Sequence, residues 1–357
     1  MRLVPVTLKK RETMGRRTWS MFRRLVTLAA MLAVLLGFAR PAHADGKEIK
    51  LGTLAPKDSA WGKVFGAWSK AVEEESHGAV KLTWYFNGSK GDELAMVGKM
   101  RSKELDGAAI TATGLAQIWP HVGALQMPGL FPTWAKLDAV REKLAPKFDR
   151  EFAQQGFVVL GKGDVGMAHL MSRGAAIRTP EDLKKAHPFY IAGDPIGQKF
   201  LETVGVPSPK ALTVPAILPA ISSRSEGAID VVNAPSIAAE QLGWAPHMTH
   251  INSHASGIGI GALVMYKETF DSLPADAKAV LERTGKNTGK LLTDRIRAID
   301  EAAFNRLKSS KTVVDLNDTE KAAWAAVFKK VAAALKAEGK IRADVLDEVV
   351  AAAASVP

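Results

Sequence analysis

Residues 47–113 read KEIKLGTLAPKDSAWGKVFGAWSKAVEEESHGAVKLTWYFNGSKGDELAMVGKMRSKELDGAAITAT. Lys47–Leu54 alternates polar and apolar residues, the pattern of a half-buried strand. Ala55–Ser59 is a turn, and Asp58 or Ser59 is placed to cap a helix from about Ala60 to Glu75. His77 and Gly78 end that helix and VKLTWYF follows as a second strand. Gly88 and Gly91 bracket a turn, Asp92 caps ELAMVGKMRSKEL as an amphipathic helix, and DGAAITAT reads as a third strand. A β-α-β-α-β succession of this kind favours a parallel sheet with right-handed crossovers. Ligands of such sheets sit outside the carboxyl ends of the strands. Three loops qualify here: Ala55–Trp61, Phe86–Asp92 and Thr111–Gly114.

Downstream, LQMPGLFP is apolar and broken by Pro128 and Gly129, and a helix is expected over about Trp134–Gln155. GFVVLGKGDVGMAHLMS is a long β-rich run suited to crossing between two lobes. TPEDLKK starts a helix with proline in its first turn. PFYIAG then reads as a strand, IGQKFLETVG as a helix closed by Gly205, VPAILPAISS as a helix despite Pro219, and AIDVVNAP as a strand. The apolar, glycine-rich GIGIGALVMY suits a strand returning to the first lobe. Beyond Leu273 the pattern is one very long helix or two, then a short strand KTVVDL and a terminal helical segment.

The 357 residues suffice for two ordinary domains, and 47% hydrophobic with 24% charged residues marks a globular chain. A formal charge of +11 raises the question of nucleic acid, but residues 1–44 carry nine Lys/Arg and one Glu, a net of +8. The remainder, 11 − 8, is +3, ordinary for a soluble domain, so no nucleic-acid partner is expected. Residues 1–44 read as a secretory signal: Arg23 and Arg24, the apolar LVTLAAMLAVLLGFA, then Ala42-His43-Ala44 as a cleavage site, with Asp45 as the mature start. An uncleaved N-terminal anchor is the alternative. The chain has no cysteine, so no lipid-anchor site follows the apolar run and core burial must do the work of disulfides. A periplasmic location follows from the signal.

The ordered set of segments resembles the DctP family of periplasmic solute receptors for tripartite ATP-independent (TRAP) transporters. The match is carried by KLGTLAPKDSAWGKVFGAWSKAVEEESHGAVKLTWYFNGSKGDELAMVGKMRSKELDGA, RTPEDLKK, ETVGVPS, AISSRSEGAIDVV and MYKETFDSLPADAKAVL. The resemblance implies an α/β fold of two lobes, crossing hinge strands, a long helix toward the C-terminus, and closure around one small-molecule ligand. It also implies delivery to TRAP-type permease membrane subunits, with no cofactor and a monomeric receptor. The expected division is residues 45–165 with 254–300 as the first lobe, and 166–253 with 301–357 as the second.

One departure bears on the ligand. Acid-binding members of the family carry an arginine in the strand after the PEDLKG-like helix start, which pairs with a ligand carboxylate. Here Phe189 or Tyr190 stands at that place. Many members also have an arginine in the strand entering the second lobe, which here reads Gly166-Met167-Ala168-His169-Leu170-Met171. Between Gly166 and Pro235 arginine occurs only at Arg173, Arg178 and Arg224, each beside turn or surface signals. A cleft lined by Trp61, Met127, Met167, Phe189 and Tyr190 suits a neutral or hydrophobic ligand better than a simple dicarboxylate.

Further ligand-binding candidates are Thr111 and Thr113 at a strand end, His169 as a remaining polar contact, and Asn233. Phe189 and Tyr190 alternate along a strand, so one is expected to face the cleft and the other the core. HMTHINSH, with His247, His250 and His254, offers the best metal lead but has no carboxylate close by, so no metal is expected. GKNTGK lacks phosphate-loop spacing and falls inside a helix. There is no G-x-S-x-G, cysteine or H-E-x-x-H, which leaves no catalytic residue to name and weighs against an exported hydrolase. A periplasmic lipid or hydrophobic-ligand carrier uncoupled from any permease is the other reading.

Overall fold

The computed structural model describes residues 46–356 apart from Glu226; the secretory signal expected over 1–44 lies outside them. The parallel start is present. β1 (Lys47–Thr53) pairs in parallel with both β2 (Val80–Tyr85) and β3 (Gly107–Thr111). The crossovers are α1 (Ala60–Glu75) and α2 (Glu93–Arg101). Of the two cap candidates for α1, Ser59 serves: its Oγ accepts from Gly62 N–H at 3.1 Å. Asp92 caps α2, accepting from Ala95 N–H at 2.9 Å. In α2 the buried face is Met96, Val97 and Met100, while Leu94 is exposed.

The third strand ends two residues earlier than expected, because α3 (Ala112–Ile118) starts directly from it with Thr111 as its cap. A 3-10 turn (Pro120–Gln126) and α4 (Trp134–Gln154) lead into β4 (Phe157–Ser172). Then come α5 (Pro180–Lys185), β5 (Phe189–Ile191), α6 (Pro195–Val204), β6 (Lys210–Leu212), α7 (Val214–Ser222), β7 (Val231–Pro235) and α8 (Ser236–Gln241). β8 (His250–Tyr266), α9 (Lys267–Asp271), α10 (Ala275–Ser310), β9 (Thr312–Val314), α11 (Asp318–Ala337) and α12 (Ala343–Ala354) complete the chain. The region beyond Leu273 thus holds one unbroken 36-residue helix rather than two.

The main sheet runs β2-β1-β3-β8-β4-β7, with β9 on the free edge of β8, and β5 and β6 form a small sheet of their own. β4 and β8 are antiparallel, 16 and 17 residues long, and belong to both halves of the sheet. The first half of β4 and last half of β8 lie with β3; their other ends lie with β7 and β9. These are the crossing strands. Four register shifts interrupt their ladder, which bends and twists it.

Helix α10 lies on β4 at backbone contact. A Cβ on Gly289 would stand 2.5 Å from the Lys162 carbonyl oxygen, and one on Gly161 would stand 2.3 Å from that of Gly285. The glycines of GKNTGK (Gly285 and Gly289) therefore serve close helix–strand packing. At the mid-strand shift, Gly166 has φ +134°, and a Cβ there would meet Asp300 Cγ at 2.8 Å and Pro235 Cβ at 2.6 Å. The buried Asp300 of α10 accepts from Met167 N–H at 2.7 Å and Ile237 N–H at 2.9 Å, which fastens β4 and the start of α8 to the long helix.

Within 301–357, expected as part of the second lobe, α11 packs on α6, with Trp324 and Phe200 rings 6.1 Å apart. The apolar face of α12 (Val345, Leu346, Val349) lies in the same core cluster as Phe148 and Phe152 of α4, and Lys147 of α4 pairs with Glu348 of α12. No helix among the described residues is long and apolar enough to cross a membrane.

Candidate functional site

A cavity of about 260 Å³ lies where the two halves of the sheet meet, at the carboxyl ends of β1 and β3. A cavity of ~150 Å³ accommodates benzene, so this one has room for roughly ten non-hydrogen atoms. The loop after β1 contributes Leu54, Ala55 and Pro56, and α1 contributes Trp61 and Phe65. The opposite wall comes from Phe189, Tyr190 and Ile191 of β5, Phe200 of α6, Ile217 of α7 and Trp244. Of the three loops singled out after strands, those at Ala55–Trp61 and at Thr111 line it, and Phe86–Asp92 does not.

Two side-chain amides join the walls. Gln241, at the end of α8, accepts the Ala60 N–H at 3.0 Å and so caps the first turn of α1 from across the cleft. Gln117 of α3 donates to the Gly193 carbonyl at 2.9 Å, on the turn between β5 and α6.

Among the described residues, no lysine or arginine lines the cavity. The three arginines of the 166–235 segment are engaged or exposed elsewhere. Arg173 donates to the carbonyls of Ile221 and Ile229, Arg178 pairs with Glu320 at 2.6 Å, and Arg224 is exposed. Carboxylates are present instead. Glu93, buried, accepts from Thr111 N–H, Thr111 Oγ–H and Gly114 N–H, each at 2.7 Å. Burial raises its pKa above the ordinary glutamate value, against these three hydrogen bonds. The Asp164 carboxylate is fully buried and turned toward Arg141 at 2.7 Å and Arg297 at 2.6 Å. Those two arginines also bind Asp138, and Arg297 stacks on Trp134 at 4.3 Å.

Asp194, part-buried, is different. It caps α6, its Oδ1 accepting from Ile196 N–H at 3.0 Å. No cation pairs with it among the described residues. Burial raises its pKa above the ordinary aspartate value, with the backbone N–H groups of Gly197 and Ile196 opposing.

Of the residues expected at the site, Trp61, Thr111, Phe189, Tyr190 and Asn233 line the cavity. Thr111 spends its hydroxyl proton on Glu93, and Asn233 Oδ1 accepts from Ser256 Oγ at 2.7 Å. Phe189 and Tyr190 both reach the wall, although alternation assigned them opposite faces; β5 has three residues and only β6 as its sheet partner. Thr113, Met127, Met167 and His169 do not line it. Thr113 sits within α3, two residues past the strand end. Met127 is buried in the core with Phe131 and Leu137. Met167 packs on that same core while its N–H is held by Asp300. His169 faces away: its ring stacks on Phe304 at 4.0 Å with Nδ1 2.9 Å from the Asn252 carbonyl, and the next residue, Leu170, takes the cavity side. Burial is the main cause that lowers the His169 pKa to about 4.

Sequence reasoning missed Phe65, Glu93, Phe200, Trp244 and Asp194. Only Asp194 left a signal, an aspartate directly before Pro195 at the end of a strand. The histidines of HMTHINSH disperse, with His247 Nε2 3.3 Å from Ser222 Oγ and His250 Nδ1 2.8 Å from Thr249 Oγ1.

A two-lobed α/β chain with crossing strands and a largely apolar cavity between the walls has the architecture of proteins that bind a small solute. The chain belongs to family 7 of the bacterial extracellular solute-binding proteins, the DctP family, which it matches over residues 51–338. A solute-binding protein of Sulfitobacter sp. (strain NAS-14.1) is 26% identical over 272 residues, covering 74% of this chain and 79% of that one. The C4-dicarboxylate-binding periplasmic protein DctP of Rhodobacter capsulatus is 23% identical over 321 residues, 87% of this chain and 92% of its own. The fold is also that of a TRAP periplasmic solute-binding protein from Haemophilus influenzae RdAW with bound L-gulonate. That structure has a TM-score of 0.77 at 16% identity and covers 85% of this chain and 99% of its own.

Proposed function

We propose that this protein is a monomeric, exported receptor that takes one neutral or largely hydrophobic molecule from the periplasm and delivers it to a TRAP-type permease. The observation that carries the ligand class is the cavity wall: aromatic and aliphatic side chains, no lysine or arginine among the described residues, and an acidic group at Asp194. A ligand carboxylate enclosed there would be desolvated without a cation, a cost of several kcal/mol, and would also face Asp194. Relatives that hold acids give the scaffold and not the substrate. Closure follows population shift: a ligand touching both walls favours the state in which Gln241 and Gln117 complete their cross-cleft bonds. Residues 45–165 with 254–300 would then move against 166–253 about β4 and β8, with α12 travelling with the first group.

A thermal-shift screen of simple dicarboxylates against neutral apolar compounds of about ten non-hydrogen atoms tests the ligand class. Stabilisation by the second set alone is expected. Tight binding of dicarboxylates with no response to apolar compounds contradicts the proposal.

A further inference from the structure

We infer that the ligand bears a protonated amine, seated against Asp194, with its apolar body among the cavity's aromatic side chains. The inference rests on the receptor reading above and adds one polar group to it. Its ground is an imbalance within the cavity. Glu93 has three donors from Thr111 and Gly114, and Asp164 has two arginines, so both carboxylates are provided for by the protein itself. Among the described residues the Asp194 carboxylate accepts one hydrogen bond, from the backbone N–H of Ile196 in the first turn of α6, and has no cation beside it. An ionised carboxylate has about four acceptor sites, so capacity remains on a residue that borders the cavity.

The second ground is the wall itself. Trp61, Phe65, Phe189, Tyr190, Phe200 and Trp244 surround the space that Asp194 borders. Aromatic faces attract organic cations and bury hydrocarbon equally well. An ammonium against Asp194 leaves the filled cleft without net charge from that pair and keeps the rest of the ligand apolar. An acid of the same size meets repulsion at the same point.

The test uses three probes of matched shape: phenethylamine, 2-phenylethanol and 3-phenylpropanoate. Each is titrated calorimetrically into the mature protein at neutral pH, unfolded and refolded beforehand to release any resident ligand. The amine is expected to bind at least about tenfold more tightly than the alcohol, as suits a charge-assisted hydrogen bond, and the acid most weakly. Asp194→Asn keeps a residue that caps helices well, so its thermal midpoint should match the parent's. In it the amine should lose its advantage while the alcohol binds as before. Amine binding no tighter than alcohol binding, or unaffected by Asp194→Asn, overturns this inference and leaves the apolar-ligand reading intact. Tightest binding by the acid overturns both, and no binding of the amine at millimolar concentration overturns the inference as well.

Discussion

Lowering the pH from 7 to 4.5 should destabilise the protein through a single buried histidine. His169 on β4 is 4% exposed, stacks on Phe304, and presents Nδ1–H to the Asn252 carbonyl. Burial lowers its pKa from 6.5 to about 4, Asn252 opposes the shift, and the positive charges of His254 and Lys308 add to it. The unfolded chain therefore binds a proton in a pH range where the folded protein does not. Stability is fully present above pH 6.5, falls as pH drops, and stops falling on this account once pH passes below the folded value. Linkage gives a loss of about 2.5 kcal/mol at pH 4.5 relative to pH 7 from this group alone. His169→Gln keeps a donor for the Asn252 carbonyl and removes the titration. Urea unfolding of both proteins at pH 7, 5.5 and 4.5 isolates the effect as a difference between the two profiles. The parent should lose about 2.5 kcal/mol more than the variant over that range. Parallel profiles would refute the placement of an uncharged His169 within the crossing strands.

Gly289→Ala should destabilise by about 2 kcal/mol, because the new Cβ meets the Lys162 backbone; an unconstrained helix position would gain up to ~1 kcal/mol, so the sign in urea unfolding decides. Asp164→Asn leaves Arg141 and Arg297 facing a neutral group and should cost about 3 kcal/mol, measured the same way. Gln241→Ala removes one cross-cleft hydrogen bond and should weaken ligand binding about fivefold, mostly as faster dissociation in stopped-flow measurements, with little change in the ligand-free thermal midpoint.

Much of the framework was legible because local chemistry marks it. Ser59, Asp92, Thr179 and Gly205 sit where caps belong, and the helices they bound start or stop there. The parallel β1, β2 and β3 follow from alternation and crossover length. Residues at the site were harder. The strand-to-helix junction at Thr111 has no glycine or proline to announce it, so the sequence pattern carries the strand through Thr113, which lies in α3. Along β4 a period of two predicts which side chains face the cavity only while the ladder is regular. Register shifts on both sides of His169 remove that regularity, and Leu170 takes the place given to His169. Phe65, Phe200 and Trp244 come from three distant elements whose convergence depends on tertiary packing. The most informative sequence feature was negative. Arginine is scarce from Gly166 to Pro235, and the arginines present are used outside the cavity.

The central claim is that this cleft has exchanged the chemistry of acid recognition for that of a non-acidic ligand. It is tested most directly by purifying the protein from its native cells under non-denaturing conditions, weighing the complex by native mass spectrometry, and identifying the molecule released on unfolding. The account predicts a single bound compound of roughly ten non-hydrogen atoms without a carboxylate. A mono- or dicarboxylic acid held at one equivalent would contradict it.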